Sequence, residues 1–354
     1  MTLHSSRKDA APLIPWVDTC KGLGIYLVVL GHAKINPTLH YFIYIFHMPL
    51  FFFLSGYLHS INRNLGSYVR RKMLHLLLPY ASFLLLLYPI ELRHVLLHHG
   101  FGPPLSHAIF AALWGGNQLR GVYGVFWFLP CLFFTQQIMN FLLANYRFFT
   151  VNALVLIALI LSYANAQLFP QFSLPLDANV VLAAMPFFYL GFLAKSIKAR
   201  HPTLILISTS GAALGAYLVH ISIPISYDMR AGGYGIPGLS FILAICCAAC
   251  VVGISKLSTA VPALQKVLSG LGAASMGIMF IHNGLLLVPY LGNWAQEHGY
   301  PGSILFTAIS FSMTWLLQRA AVTRALLLGS QADFRRLLDD AHGALDKHRV
   351  LRVA

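Results

Sequence analysis

Residues 148–168 read FFTVNALVLIALILSYANAQL, 21 positions without a single charged side chain. Wound as an α-helix, the stretch is about 31 Å long, close to the thickness of a bilayer's hydrocarbon core. Similar apolar runs lie on both sides of it. They place spans near 16–35, 40–59, 73–91 and 122–144 before it, and near 179–195, 203–222, 237–254, 271–291 and 303–319 after it. The sequence thus predicts an all-α fold, a polytopic membrane helix bundle of about ten transmembrane helices. Residues 1–15 form a short N-terminal segment, 16–319 one transmembrane domain and 320–354 a tail.

The bulk composition agrees. Of 354 residues, 58% are hydrophobic and 10% charged, a balance that no soluble domain could cover with a polar surface. Arg7, Lys8 and Asp9 precede the first apolar stretch, which itself holds Asp18 and Lys21 and has no small-residue cleavage site behind it. An uncleaved first span is expected rather than a secretory signal. Cys20, Cys131, Cys246, Cys247 and Cys250 all sit in apolar stretches and read as small hydrophobic filler. Cys247 and Cys250 lack a second ligand pair nearby, so neither a disulfide nor a metal is expected.

Charge sets the orientation. Alternating spans gather twenty of the 24 lysines and arginines on one side and leave Lys34, Arg93, Arg120 and Arg230 on the other. The basic side is expected to be cytoplasmic, with both termini on it. The net charge of +14 then reads as topology and contact with anionic membrane lipid, and nucleic acid is not needed as a partner. The long outer loop, about 92–121, suits either a binding role or a plain connector. In the tail, Phe334, Leu337, Leu338, Ala341 and Leu345 recur at helical spacing between Arg335, Arg336, Asp339 and Asp340, which predicts a surface-lying amphipathic helix.

Ionisable groups inside a span are costly, so they are the first candidates for chemistry. Asp18 and Lys21 stand at i,i+3 and can pair. Lys21 and His32 are eleven residues apart, which puts them within about 20° on one helix face and about 16 Å apart in depth. After the turn at Asn36-Pro37 comes Phe46-His47-Met48-Pro49-Leu50-Phe51-Phe52-Phe53-Leu54-Ser55-Gly56-Tyr57. His47 is about as far from that turn as His32, so the two imidazoles could share one cavity, and either suits a general base. Pro49 and Ser55-Gly56 are expected to kink the helix and admit a close backbone neighbour. Arg70-Arg71-Lys72, with His75 a turn on, suit a diphosphate and a further phosphate such as coenzyme A carries, or equally plain interfacial anchoring. Trp127 opens the fourth span as a sugar platform or an interface residue. His282-Asn283 lies in the ninth span, with His282 above Ser275 on one face. His220, at a membrane edge, reads as structural.

These residues resemble the membrane acyltransferase-3 family. Lys21, ten residues and His32 are similar to its basic-x10-His signature, and Phe46 to Tyr57 resembles its second-helix motif. Arg70-Arg71-Lys72 leading to Leu78-Pro79-Tyr80 looks like its basic loop. Trp127-Phe128-Leu129 and Ser275-Met276-Gly277-Ile278-Met279-Phe280-Ile281-His282 look like its later landmarks. The likeness runs in order from about residue 16 to 291, and is nearest to the short exopolysaccharide and fucose O-acetyltransferases, including xanthan-type enzymes. Many O-antigen acetylases have a glutamate five residues after the tryptophan; here it is Leu132, and no hydrolase-like domain is expected after the spans.

The resemblance implies an O-acetyltransferase of the bacterial inner membrane, with acetyl-coenzyme A as donor and no permanently bound cofactor. A lipid-linked saccharide or polysaccharide is the implied acceptor, and the polysaccharide assembly machinery is admitted as a partner. In that scheme His32, His47 and His282 are catalytic, Lys21, Arg70, Arg71 and Lys72 hold the donor, and Asp18, Ser55, Trp127 and Asn283 face substrate. A succinyl donor is a variant of the same reading. A secondary transporter or glycan flippase is the rival of another class, since buried ionisable groups and broken helices also serve transport.

Overall fold

The computed structural model describes residues 14–197 and 202–353, with side chains described as far as residue 342. The N-terminal charges Arg7, Lys8 and Asp9, the loop residues Lys198 and Arg200, and the side chain of Leu345 in the expected tail stripe lie outside what is described. The described residues form helices and short helical turns joined by loops, and no strand is assigned among them.

Helix α1 (Pro15–Gly31) is followed by α2 (Pro37–Tyr57), whose start is capped by Asn36 Oδ1 accepting from Thr38 N at 2.8 Å. Then α3 (Leu65–Lys72) runs through a π-helical turn at Met73–Leu77 into α4 (Leu78–His99). The expected outer loop is largely helical: α4 continues to His99 and α5 covers Pro103–Trp114. A 3₁₀ segment, Gly121–Trp127, leads into α6 (Phe128–Asn145), and α7 (Phe148–Leu168) and α8 (Val181–Ala194) follow. Next are α9 (Pro202–His220), α10 (Leu239–Ser258), α11 (Pro262–Ala273), α12 (Ser275–Gly284), α13 (Pro289–Glu297) and α14 (Gly299–Leu317).

Eight helical segments among the described residues are long and apolar enough to cross a membrane. Two expected spans differ from that pattern. α1 is 17 residues long and carries both Asp18 and Lys21. The expected continuous span 271–291 is broken: α11 and α12 meet at Ala274 with a bend of 71°. Outward faces suit lipid; on α7, Phe149, Leu156 and Ile160 are exposed.

Glycines set the closest helix contacts. A Cβ on Gly22 would overlap the Leu268 carbonyl, and one on Gly272 the Asp18 carbonyl, so α1 and α11 touch backbone to backbone. Gly56 and Gly191 do the same for α2 and α8, against the carbonyls of Phe188 and Phe53. Small residues are the usual means of such approach in a bilayer, where apolar burial alone does not hold helices together. Gly56 thus fulfils the close approach expected of Ser55-Gly56, while α2 runs unbroken through Pro49.

Past α14, α15 (Ala321–Leu326) and α16 (Gln331–Val353) form a hairpin. Arg324 donates to both Asp333 oxygens at 2.8 and 2.7 Å and holds that carboxyl down at about 2. The hairpin docks on the bundle, with His75 Nδ1 donating to Gly329 O and Gln331 Nε2 to Arg71 O. Leu338 remains exposed. The tail is helical as expected, but its first turns pack on the protein.

Candidate active site

The described helices enclose a large cavity of about 1370 Å³. Lys21, Arg71, Lys72, His75 and Gln331 line one end, and His32, Lys34, His40, Asp228, Arg230 and Gln296 the other. Lys21 and His32 both reach it, so the shared face of α1 is a cavity wall.

His32 is the C-cap of α1, directly after its last helical residue, Gly31. Its Nδ1 lies 3.1 Å from Asn283 Oδ1, and Asn283 Nδ2 donates to Val122 O at 3.0 Å. The second bond turns the amide oxygen toward the imidazole. An amide oxygen can only accept, so His32 carries its proton on Nδ1 and keeps a free lone pair on Nε2. Asn283 is buried and Val122 belongs to the 3₁₀ segment before α6. Three parts of the chain therefore fix one ring.

His47 is buried on the same cavity, with Nδ1 donating to Ile43 O at 3.0 Å one turn back in α2. Its Nε2 is likewise left free, and its ring packs on Tyr44 at a centroid distance of 4.6 Å. His282 is placed differently. It lies behind His32, rings 5.3 Å apart, off the large cavity, with Nδ1 bonded to Ile278 O at 2.8 Å and Nε2 buried without a partner. A void of about 20 Å³ separates it from Gln296 and Ser303.

Trp127 and Ser55 line the cavity between its ends, and Gln136 Nε2 donates to Ser55 Oγ at 2.7 Å. Leu132 is also on the wall, one turn before Gln136, so an amide stands near where a carboxylate was missing from the motif. Asp18 does not line the cavity; its Oδ1 is 3.1 Å from Lys21 Nζ. Arg70 is exposed and off the wall, whereas Arg71 and Lys72 lie over the Tyr68 ring at 5.4 and 5.6 Å. Tyr68 bonds His59 Nδ1 at 3.3 Å, and the His59 carbonyl accepts from Lys195 Nζ. Burial, with Lys72, Lys195 and Arg71 close by, pushes the His59 imidazole down to about 4 and keeps it neutral at pH 7.

Several wall residues had no sequence signal of their own: Lys34, His40, Tyr44, His59, Gln136, Asp228, Arg230 and Gln331. Arg230 and Lys34 entered the sequence reading as loop charges, and nothing in their spacing ties them to His32. The arrangement offers a lone-pair imidazole at one end of a cavity whose other end is basic, which suits proton abstraction beside a long anionic substrate.

No curated protein and no solved structure matches the chain significantly. The family model for the acyltransferase domain of membrane acyltransferase-3 proteins matches residues 14–318, from the start of α1 to the end of α14, and so spans every residue named on the cavity wall except Gln331. By that match the chain belongs to the membrane acyltransferase-3 family and is a multi-pass membrane acyltransferase.

Proposed function

We propose that this enzyme transfers an acetyl group from acetyl-coenzyme A to a sugar hydroxyl of an extracytoplasmic or lipid-linked polysaccharide in a bacterial inner membrane. The observation that carries the reading is the single cavity that joins Lys21, Arg71 and Lys72 to His32 and His47. Its basic end faces the cytoplasm and takes the donor's phosphates, with Arg70 an outlying cation that adds long-range attraction. The donor's arm extends along the α1 face, over about 16 Å of helix rise, and brings the thioester to His32.

His32 Nε2 takes the proton of the acceptor hydroxyl as that oxygen attacks the thioester carbonyl. The carbon–sulfur bond breaks, the thiolate leaves, and the imidazolium returns the proton to it. Asn283 holds the tautomer throughout by accepting from Nδ1. His47 steadies the acceptor hydroxyl or the leaving sulfur, and His282 supports the His32 ring from behind. Trp127 and Ser55 guide substrate in the neck, and Asp18 serves by positioning Lys21. Family membership favours this reading over a transporter, and the short exopolysaccharide and fucose acetylases remain the subgroup we favour. The test is NMR of ester groups on surface polysaccharide from cells with and without the gene: acetyl esters absent without it support the reading, and unchanged esters refute it.

A further inference from the structure

Two cations of the cavity wall are left over once the donor's phosphates are assigned. Lys34 and Arg230 line the His32 end, away from Lys21, Arg71 and Lys72. Asp228 is the one carboxylate on the described wall, and neither cation forms an ion pair with it; the ion pairs among the described residues are Lys21–Asp18 and Arg324–Asp333. The Asp228 carboxylate is engaged locally, its Oδ1 accepting from Ala231 N at 3.1 Å inside the turn closed by the Asp228–Gly233 bridge.

Arg230 is held rigidly. Its Nη2 donates to Leu119 O at 2.9 Å, and its guanidinium packs against Gly124, where a Cβ would come within 2.8 Å of Cζ. Its Nε is buried and has no acceptor. The loop that carries it is fastened to α2 by Tyr227 N donating to Tyr44 O at 3.0 Å, beside the stacked rings of His40 and Tyr44. A half-buried guanidinium with a buried, unpartnered N–H and no carboxylate in ion-pair contact has a donor to spare, and its planar fork matches a carboxylate or a phosphate. The reactive end of a thioester donor carries no anion, so an anion bound by Arg230 comes from the other substrate.

We propose that the His32 end of the cavity binds an anionic group of the acceptor, a carboxylate or phosphate oxygen held by Arg230 with help from Lys34, and so places a neighbouring hydroxyl against His32. Naming the ligand an acceptor rests on the acyl-transfer reading; the anion site itself does not. The anion has two possible sources, an acidic sugar or the diphosphate of a lipid-linked saccharide.

The test is calorimetric titration of the full chain in nanodiscs, without coenzyme A, using methyl glucuronoside, glucose linked to citronellyl diphosphate, and neutral methyl glucoside. One anionic probe should bind about tenfold or more tighter than methyl glucoside, the scale of a charge-assisted hydrogen bond. A preference for the glucuronoside identifies an acidic sugar, and a preference for the diphosphate the lipid carrier. Arg230→Gln should remove that advantage while leaving coenzyme A affinity and melting temperature unchanged, and Arg230→Lys should keep part of it. If Arg230→Gln does not fold, Lys34→Gln, at an exposed side chain, should still weaken the same probe. Equal binding of all three probes, no binding of any, or an equal loss for the neutral probe in Arg230→Gln overturns the proposal. An anionic probe that binds through Arg230 but gains no acetyl group when acetyl-coenzyme A is added leaves the anion site standing and counts against the acyl-transfer reading.

Discussion

Asn283 Oδ1 accepts from His32 Nδ1 at 3.1 Å, across two helices 251 positions apart in sequence. The bond decides which nitrogen of the imidazole is basic, because the amide is itself locked by its donation to Val122 O. Asn283→Ala should therefore lower kcat by about 10²-fold, as loss of a partner that orients a general base does, with little change in donor KM. Asn283→Asp should retain more activity than Asn283→Ala, since a carboxylate can still accept from Nδ1. Steady-state kinetics of acyl transfer with both variants decide the matter; a rise in KM alone would assign Asn283 to binding instead.

The basic end separates two adjacent arginines. Arg71 is on the cavity wall and Arg70 is not. Lys21→Ala and Arg71→Ala should each weaken coenzyme A binding about tenfold, the order of a lost charge-assisted contact, while Arg70→Ala stays near wild type. Calorimetry with coenzyme A reads all three. Unchanged affinity in both Lys21→Ala and Arg71→Ala would return these side chains to membrane anchoring.

The glycine contact between α1 and α11 sets the position of Lys21. Gly272→Val places a branched side chain against the Asp18 carbonyl and should destabilise the protein by about 1–3 kcal/mol or more, since overpacked backbone contacts have no side chain that can yield. Thermal unfolding in detergent gives the measure. Gly253→Val, on α10 with open space around its Cβ position, is the control expected to melt as wild type.

Orientation can be read directly. The twenty-to-four division of lysine and arginine predicts that reporter fusions at the C-terminus are cytoplasmic and that one within residues 98–118 is outside. A cytoplasmic signal from 98–118 would reverse the assignment of donor and acceptor ends.

Much of this architecture is legible in the chain because the bilayer imposes a length and a polarity on each span, as in residues 148–168. The Lys21–His32 face is legible too, since helical periodicity alone fixes the angle between two positions of one helix. Contacts between helices are not. Hydropathy gives 271–291 the same signal as an unbroken span and carries no trace of the 71° bend at Ala274, nor of the close approach of α11 to α1 at Gly272. His282 and Asn283 are neighbours in sequence, yet one is behind His32 and the other on the cavity wall, and packing alone divides them. Arg230 reads as a loop charge until the fold lays it on Gly124.

The central claim is that His32 is the base of an acyl transfer, and the most direct measurement is the acetyl-ester content of surface polysaccharide from cells expressing His32→Ala at wild-type protein level. The account predicts loss of esters, with coenzyme A binding by the purified variant nearly intact, because removing a general base costs about 10²–10⁴ in rate and little affinity. Near wild-type ester content in His32→Ala would contradict it and move the chemistry to His47.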